Sequence, residues 1–335
     1  MYRYILSSLC GMLIIAGITF VPNHVNASCG SANCFLVTGT QEGIATPGQI
    51  ILDLSYRFIP MDRARKGGKS SSEALVPGIN FSTGEIEPDH HREKRTNNEL
   101  AQIDVSYGIT PRFALTLAIP FLNNRLHEHD VEVGTGDENF SNQDGTSGFG
   151  DIRLTGKYAF RISAKHLIVG GFGVKTPTGQ YKLLNHDGEI NEPTIQPGSG
   201  SWDGIVSAYY DYRIIPQRLD AFFSGSYQIA RENELDYKFG NTLLLNGGLN
   251  YPINGEKSTI ISLQINMRQA PHDEFKGEEV PSTGGTWIYL TPGVKVQSSP
   301  RTAFYTHVQL PVYQYVNETN LVPRYGLIAG VSYTF

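Results

Sequence analysis

Beyond residue 27 this chain has no apolar run of the about 18 residues that a membrane helix needs. The longest such run, residues 113–122, is far too short. A helical span is thereby excluded from the body of the chain. A strong charge of one sign is missing too. Lys plus Arg number 27 against 32 Asp plus Glu, a formal net charge of −5. That mild acidity argues against nucleic-acid binding. Cysteine is scarce, with three in the whole chain. Glycine (36), tyrosine (18) and phenylalanine (16) are plentiful, while hydrophobic residues make up only 40%. Strict alternation of apolar and polar residues hides apolar surface from window averages in just this way.

The N-terminus reads as an export signal rather than part of the fold. Arg3 supplies the positive end, residues 5–20 the apolar run, and Val25-Asn26-Ala27 a small-residue cleavage site. A single membrane-anchoring helix is the alternative. Residues 1–27 are therefore expected to be a signal peptide of a Gram-negative bacterium. Residues 28–47 follow as a periplasmic leader, and 48–335 as the folded body. Cys29 and Cys34 lie in the leader. Export places them in an oxidising compartment, where a small disulfide loop is expected; a redox or metal role is the other reading.

The last fifteen residues set the rhythm of the body. Leu321, Pro323, Tyr325, Leu327, Ala329, Val331, Tyr333 and Phe335 alternate with smaller or polar residues, a period of two. Strands with this alternation are expected over 49–59, 99–109, 113–122, 148–160, 165–176, 202–214, 218–230, 237–251, 258–269, 286–296, 302–315 and 321–335. Short turns, including Thr110-Pro111 and Asn254-Gly255, alternate with long polar loops such as 60–97, 123–147 and 177–201. Strands of about 11 residues with turns segregated by parity suit a barrel crossing a bilayer. In lipid a closed sheet gives every backbone N–H and C=O a partner. A soluble β-sandwich does not require that segregation. The expected fold is all-β, a transmembrane antiparallel up-and-down β-barrel of about 12 strands in the outer membrane. Its last strand should close on residues 50–58. Tyr333 and Phe335 would face outer-membrane lipid and form the terminal signature read by the barrel-assembly machinery.

If the apolar face meets lipid, the alternate face lines the lumen. That set is Asp53, Arg57, Gln102, Asp104, Asp151, Arg153, Lys157, Lys175, Asp203, Asp211, Arg213, Asp220, Gln228, Asn246, Gln264, Asn266, Arg268, Lys295, His307, Gln309 and Arg324. A charge on the lipid side would cost roughly 2–4 kcal/mol at the midplane, so its placement on one parity supports the register. Twelve tilted strands give a backbone radius of about 12 Å. The remaining space could pass a small solute, or be closed by inward loops and mutual ion pairs.

Several local motifs resemble the outer-membrane channel family associated with the MetA pathway of phenol degradation. They are Tyr107-Gly-Ile-Thr-Pro-Arg-Phe113 with Ile119-Pro-Phe121; Gly148-Phe-Gly-Asp-Ile152; Val174-Lys-Thr-Pro-Thr-Gly179; Gln196-Pro-Gly-Ser-Gly-Ser-Trp-Asp203; Leu290-Thr-Pro-Gly293; and Gln309-Leu-Pro-Val-Tyr-Gln314. The resemblance implies passage of small, often aromatic or hydrophobic, compounds, and leaves the solute open. On physical grounds these prolines and glycines shape strand ends at the rim, and Trp202 suits a membrane interface.

An outer-membrane enzyme of lipase or protease type is the main rival. A lipid-side hydrolase needs a Ser and a His together on the outward face, whereas His307 points inward. A rim protease would draw on Asp89-His90-His91 and His127-Glu128-His129-Asp130; the plainer reading is a solvated outer loop able to bind a cation. A third class is a structural barrel sheathing a periplasmic redox partner at Cys29 and Cys34. No catalytic residue, metal ligand or cofactor is assigned, and the expectation is a channel for small solutes.

Overall fold

The computed structural model describes residues 43–131, 139–141, 145–185, 188–253 and 259–335. The expected signal peptide, the Cys29/Cys34 pair and the Asn254-Gly255 turn lie outside these residues. Twelve long strands form the wall: β1 (Ile50–Lys66), β2 (Glu85–Thr110), β3 (Phe113–Val131), β4 (Arg153–Ile162), β5 (His166–Lys175), β6 (Asp203–Ile215), β7 (Leu219–Ile229), β8 (Thr242–Pro252), β9 (Thr259–Ala270), β10 (Gly285–Gln297), β11 (Thr302–Val316) and β12 (Gly326–Thr334). Each pairs antiparallel with the next in sequence. β12 closes on β1, from Ile51 opposite Thr334 to Phe58 opposite Leu327. The closed antiparallel barrel and its seam on residues 50–58 follow the sequence expectation.

Alternation sets the two faces. On β9, Ile261, Leu263 and Ile265 are exposed, while Ser262, Gln264, Asn266 and Arg268 are buried. On β1, Leu52, Leu54 and Tyr56 are exposed, while Asp53, Ser55 and Arg57 are buried. This barrel is inside-out relative to a soluble domain: apolar side chains meet lipid and polar ones meet each other.

The structure departs from the expected segments in five places. The loops expected at 60–97 and 123–147 are largely strand. β1 runs on to Lys66, β2 begins at Glu85 and β3 reaches Val131, so these hairpins rise above the lipid band. The ladder needs only backbone groups, and above lipid both faces are polar, which erases the alternation signal. The strand expected from 237 starts at Thr242 instead. Tyr237–Lys238 joins a separate small sheet with Asp273–Phe275 and Glu278–Val280, around buried Tyr237, Phe275 and Val280. The strand expected from 148 begins at Arg153, because Thr146–Gly148 pairs separately with β3.

The last strand also splits. Thr319–Pro323 pairs with the upper part of β1, and the break at Arg324-Tyr325 separates it from β12. Face parity switches there: Leu321 is buried, whereas Leu327 is exposed. Arg324 is therefore not a lumen residue in the structure. It is half exposed, with a guanidinium nitrogen 2.5 Å from Asp62 Oδ2.

Among the register shifts, three re-aim side chains in the outer half of the wall. Val312 is an extra residue opposite Ile288-Tyr289, so Gln309 and Gln314 are both buried although five positions apart. Phe121 is extra opposite Ala101-Gln102, and Lys94 is extra opposite Glu128-His129. Pro120 and Pro311 each adjoin such a bulge, where a missing N–H costs the ladder little.

The apolar core sits inside the outer half of the barrel. Ile59, Met61, Leu100, Trp287, Tyr289, Val316, Leu321 and Val322 cluster there with Ala74. At the opposite end, Pro47 bridges to Gly108 beside the β2–β3 turn.

Candidate functional site: the lumen and its outer cap

Most of the expected lumen residues lie on the inner face. Asp53, Arg57, Gln102, Asp104, Asp151, Lys175, Asp203, Arg268 and His307 are buried. Arg153, Lys157, Asp211, Asp220 and Lys295 are half-buried, and Arg213 is exposed at the short-turn rim. Few of these side chains stand alone. Tyr305 Oη donates to Asp53 Oδ1 at 2.7 Å, and Gln102 Nε2 donates to Asp104 Oδ1 at 2.7 Å. A polar belt crosses four strands: Asn246 Nδ2 donates to Ser224 Oγ, Asn266 Nδ2 to Asn246 Oδ1, and Thr291 Oγ1 to Asn266 Oδ1. His307 packs flat over Gly293, its partner on β10. A Cβ at Gly293 would lie 1.9 Å from His307 Nδ1, so the ring's position requires glycine there.

Three of the sequence motifs meet at one node near the outer rim. The Asp151 carboxylate accepts from Gly179 N at 3.0 Å and from Ser199 N at 2.9 Å. It also accepts from Ser199 Oγ at 2.7 Å and Lys175 Nζ at 3.2 Å. Lys175 Nζ lies 2.9 Å from Asp203 Oδ2 as well, so one buried cation is shared by two carboxylates. Asp203 further accepts from Ser201 Oγ and Gln228 Nε2. The node staples the two ends of loop 177–201 to β5 and β6. Trp202, beside it, is 58% exposed, which places its ring on the outer surface.

From this anchor the loop folds inward. Pro193–Ile195 forms a short 3-10 turn with Pro193 and Ile195 buried. Asn123 Nδ2 donates to Pro197 O at 2.6 Å, and Thr146 Oγ1 donates to Ile195 O. Pro193 lines two cavities. One, of about 60 Å³, is bounded by Met61, Glu93, Thr96, His127, Glu192, Tyr237 and Leu321. The other, of about 90 Å³, is bounded by Arg125, Asp151, Arg153, Lys175, Asp203, Arg268 and Asp273. The loop thus divides the outer half of the lumen into a chamber on the apolar core and a chamber of mixed charge.

The two histidine-bearing segments singled out in the sequence come together in the first chamber. The Lys94 bulge turns His91 and Glu93 inward, and the Phe121 bulge does the same for His127 and His129. Glu93 stands opposite His129 in the ladder, and Thr96 opposite His127. Glu192 arrives from the inward loop and contacts His91 Nε2. Glu93 Oε1 is 3.5 Å from His91 Nε2, and its Oε2 is 3.5 Å from His127 Nδ1. The His129 ring centroid is 4.7 Å from that of His91 and 4.8 Å from that of His127. Burial lowers the His91 pKa, but Glu192 and Glu93 outweigh it and carry it up to about 10. Burial raises Glu192, but the facing imidazoles outweigh that and hold it below the usual carboxylate range. Burial and the His127 charge push His129 below its ordinary value.

Sequence reading picked out the histidines but not Glu93 or Glu192 as their partners. The spacing His91-x-Glu93 against His127-x-His129 is a strand-face signal, yet strict alternation points both pairs outward. Only the bulges turn them in. Glu192 lies in a loop and carries no periodic signal at all. His307 has no serine among its hydrogen-bond or ring partners, so the described residues assemble no Ser–His pair around it.

A closed twelve-stranded wall, apolar outside and polar within, defines a membrane-spanning β-barrel of outer-membrane type. The chain belongs to the family described as Putative MetA-pathway of phenol degradation, whose model matches residues 94–321. Its fold is similar to the COG4313 outer membrane channel from Pseudomonas putida F1, with TM-score 0.61 and 12% identity over 90% of this chain and 100% of that one. The P. putida toluene transporter TodX aligns with TM-score 0.43 and 10% identity over 89% and 94% of the two chains. The NanC porin aligns with TM-score 0.43 and 10% identity over 85% and 98%. No curated protein matches the chain.

Proposed function

We propose that this barrel is a channel of the Gram-negative outer membrane for passive or facilitated passage of small solutes. The observation that carries the reading is the divided outer lumen, in which an apolar core adjoins a chamber of mixed charge. A wide water-filled pore would leave inward charges solvated; here Lys175 is paired with both Asp151 and Asp203 in the wall. A small aromatic or hydrophobic compound in the first chamber gains from contact with Met61, Val76, Ile79 and Leu321, by about 25 cal/mol for each Å² of apolar surface removed from water. A charged solute gains nothing from these apolar side chains and meets the desolvation cost of charge. The substrate class implied by the family agrees with this preference.

The mixed lining predicts weak charge selectivity. Full passage requires loop 177–201 to shift, because its 3-10 turn lies between the two chambers. The lipase or protease alternative has no serine beside it: among the described residues the hydroxyl bonded to a buried histidine is that of Thr96, on His127 Nδ1. The test is planar-bilayer conductance, together with liposome uptake of a small aromatic compound and of a charged solute of similar size. The expected result is low ionic conductance with faster aromatic uptake. No conductance and no uptake, with hydrolysis of lipid or protein by the same preparation, would overturn the reading.

A further inference from the structure

The outer chamber holds a convergence of donors that solute passage does not explain. His91, Glu93, His127 and Glu192 each offer one ligand atom, and the four atoms lie within 4.8 Å of one another. His91 and His127 are 3% and 2% exposed. Thr96 Oγ1 holds the His127 ring through Nδ1 at 2.9 Å. The other ring nitrogen, Nε2, is buried and makes no hydrogen bond among the described residues. Buried polar atoms are rarely left so, because the lost hydration is not regained. The four residues come from three separate segments, and both strand pairs face inward only through bulges, devices that commonly re-aim side chains at sites.

We propose that His91, Glu93, His127 and Glu192 bind one divalent transition-metal ion, zinc in the first instance, which clasps loop 177–201 to β2 and β3. Two imidazoles with two carboxylates are a donor set of borderline softness, which suits zinc better than calcium or magnesium. Tetrahedral bonds near 2.1 Å put ligand atoms about 3.4 Å apart, so the set must contract by little more than about 1 Å. The ion displaces any proton held on the ligating imidazoles, and that proton leaves to solvent. Two negative carboxylates are then matched by a dication instead of by a proton. His129, whose ring packs at a tilt against both histidines, limits ring rotation from behind. Glu192 immediately precedes Pro193–Ile195, so the bond would fix the turn that separates the two chambers. The site does not depend on which solute passes.

The test uses the full chain without a histidine tag, refolded in detergent and stripped with chelator. Cys29→Ser and Cys34→Ser are included so that thiols cannot supply the site. Zinc is titrated calorimetrically and cobalt by its visible absorption. One ion per chain is expected, with cobalt bands of a four-coordinate nitrogen–oxygen site. His127→Ala and Glu192→Gln should each weaken binding by at least about tenfold. His166→Ala, on the far side of the barrel, should leave it unchanged. Heat-modifiable gel mobility checks that each variant remains a folded barrel. Trypsin cleavage after Lys182, which lies in the loop, should slow several-fold with zinc in the parent and not in His127→Ala. Absent binding, or equal binding by parent and variants, overturns the site. Binding that leaves cleavage at Lys182 unchanged overturns the clasp.

Discussion

A methyl group at Gly198 would lie 2.6 Å from the backbone of Gly179, which lies under the same Asp151 carboxylate. The two glycines therefore let the ends of loop 177–201 touch main chain to main chain. Gly198→Ala should separate them, loosen the Asp151 node and cost about 1–3 kcal/mol. A lower guanidinium midpoint, with the barrel still able to fold, is the expected readout. A second residue-scale test concerns His272 and Glu318 in the outer cap. His272 Nε2 lies 3.2 Å from Glu318 Oε2, and its Nδ1 lies 3.3 Å from Glu279 Oε2. Burial lowers the His272 pKa, but the two glutamates outweigh it and hold it above 6.5. The hydrogen bond from His272 holds Glu318 below 4.5. The histidine's contribution is full below pH 6.5 and fades as pH rises through its raised value. The carboxylate's contribution is present above pH 4.5 and fades as pH falls through its lowered value. The latch is therefore strongest between those two limits. An NMR titration of His272 should show a midpoint above 6.5, returning toward it in Glu318→Gln; a midpoint unchanged by that substitution would remove the latch.

At the scale of the strand, alternation made the wall legible and its interruptions did not. Ile261, Leu263 and Ile265 could be assigned to lipid from sequence because the period of two holds along all of β9. Ile265→Arg should then destabilise the inserted barrel by about 2–4 kcal/mol, whereas Gln264→Arg, one step along on the polar face, should cost less. Unfolding from liposomes measures both, and equal costs would contradict the assignment of faces. Bulges broke the pattern elsewhere. Each adds one residue, and every side chain beyond it changes face. His91, Glu93, His127 and His129 lie beyond such points, so extrapolated alternation sends them to the wrong side. Proline marks two of the bulges, at Pro120 and Pro311, and is the one local hint they offer. The Lys94 bulge has none. Arg324 was misplaced for a related reason: the two-residue break after Pro323 resets the register before β12 begins.

For the whole molecule, closure is the decisive contact. Phe335 N donates to Ile50 O at 2.9 Å, and its ring packs edge-on against Tyr333 at 4.7 Å. Deleting Phe335 should impair membrane insertion more than shortening any outer hairpin, because the seam must form in lipid where an open edge has no partner. Normal insertion of the truncated chain in a membrane-fraction assay would count against a role for this end in assembly. The amino-acid order by itself determined the barrel, its strand number, the seam between first and last strands and most of the inner face. Each of these follows from a period-two pattern repeated along the chain, and hydrogen bonding in lipid leaves it one closed solution. The tertiary structure alone decided what fills the lumen. Loop 177–201 has no periodicity, its 3-10 turn is held by side chains from β3 and from residues 145–151, and the histidine cluster needs two bulges and that loop at once. Such contacts join residues up to about a hundred positions apart, and no local pattern encodes them.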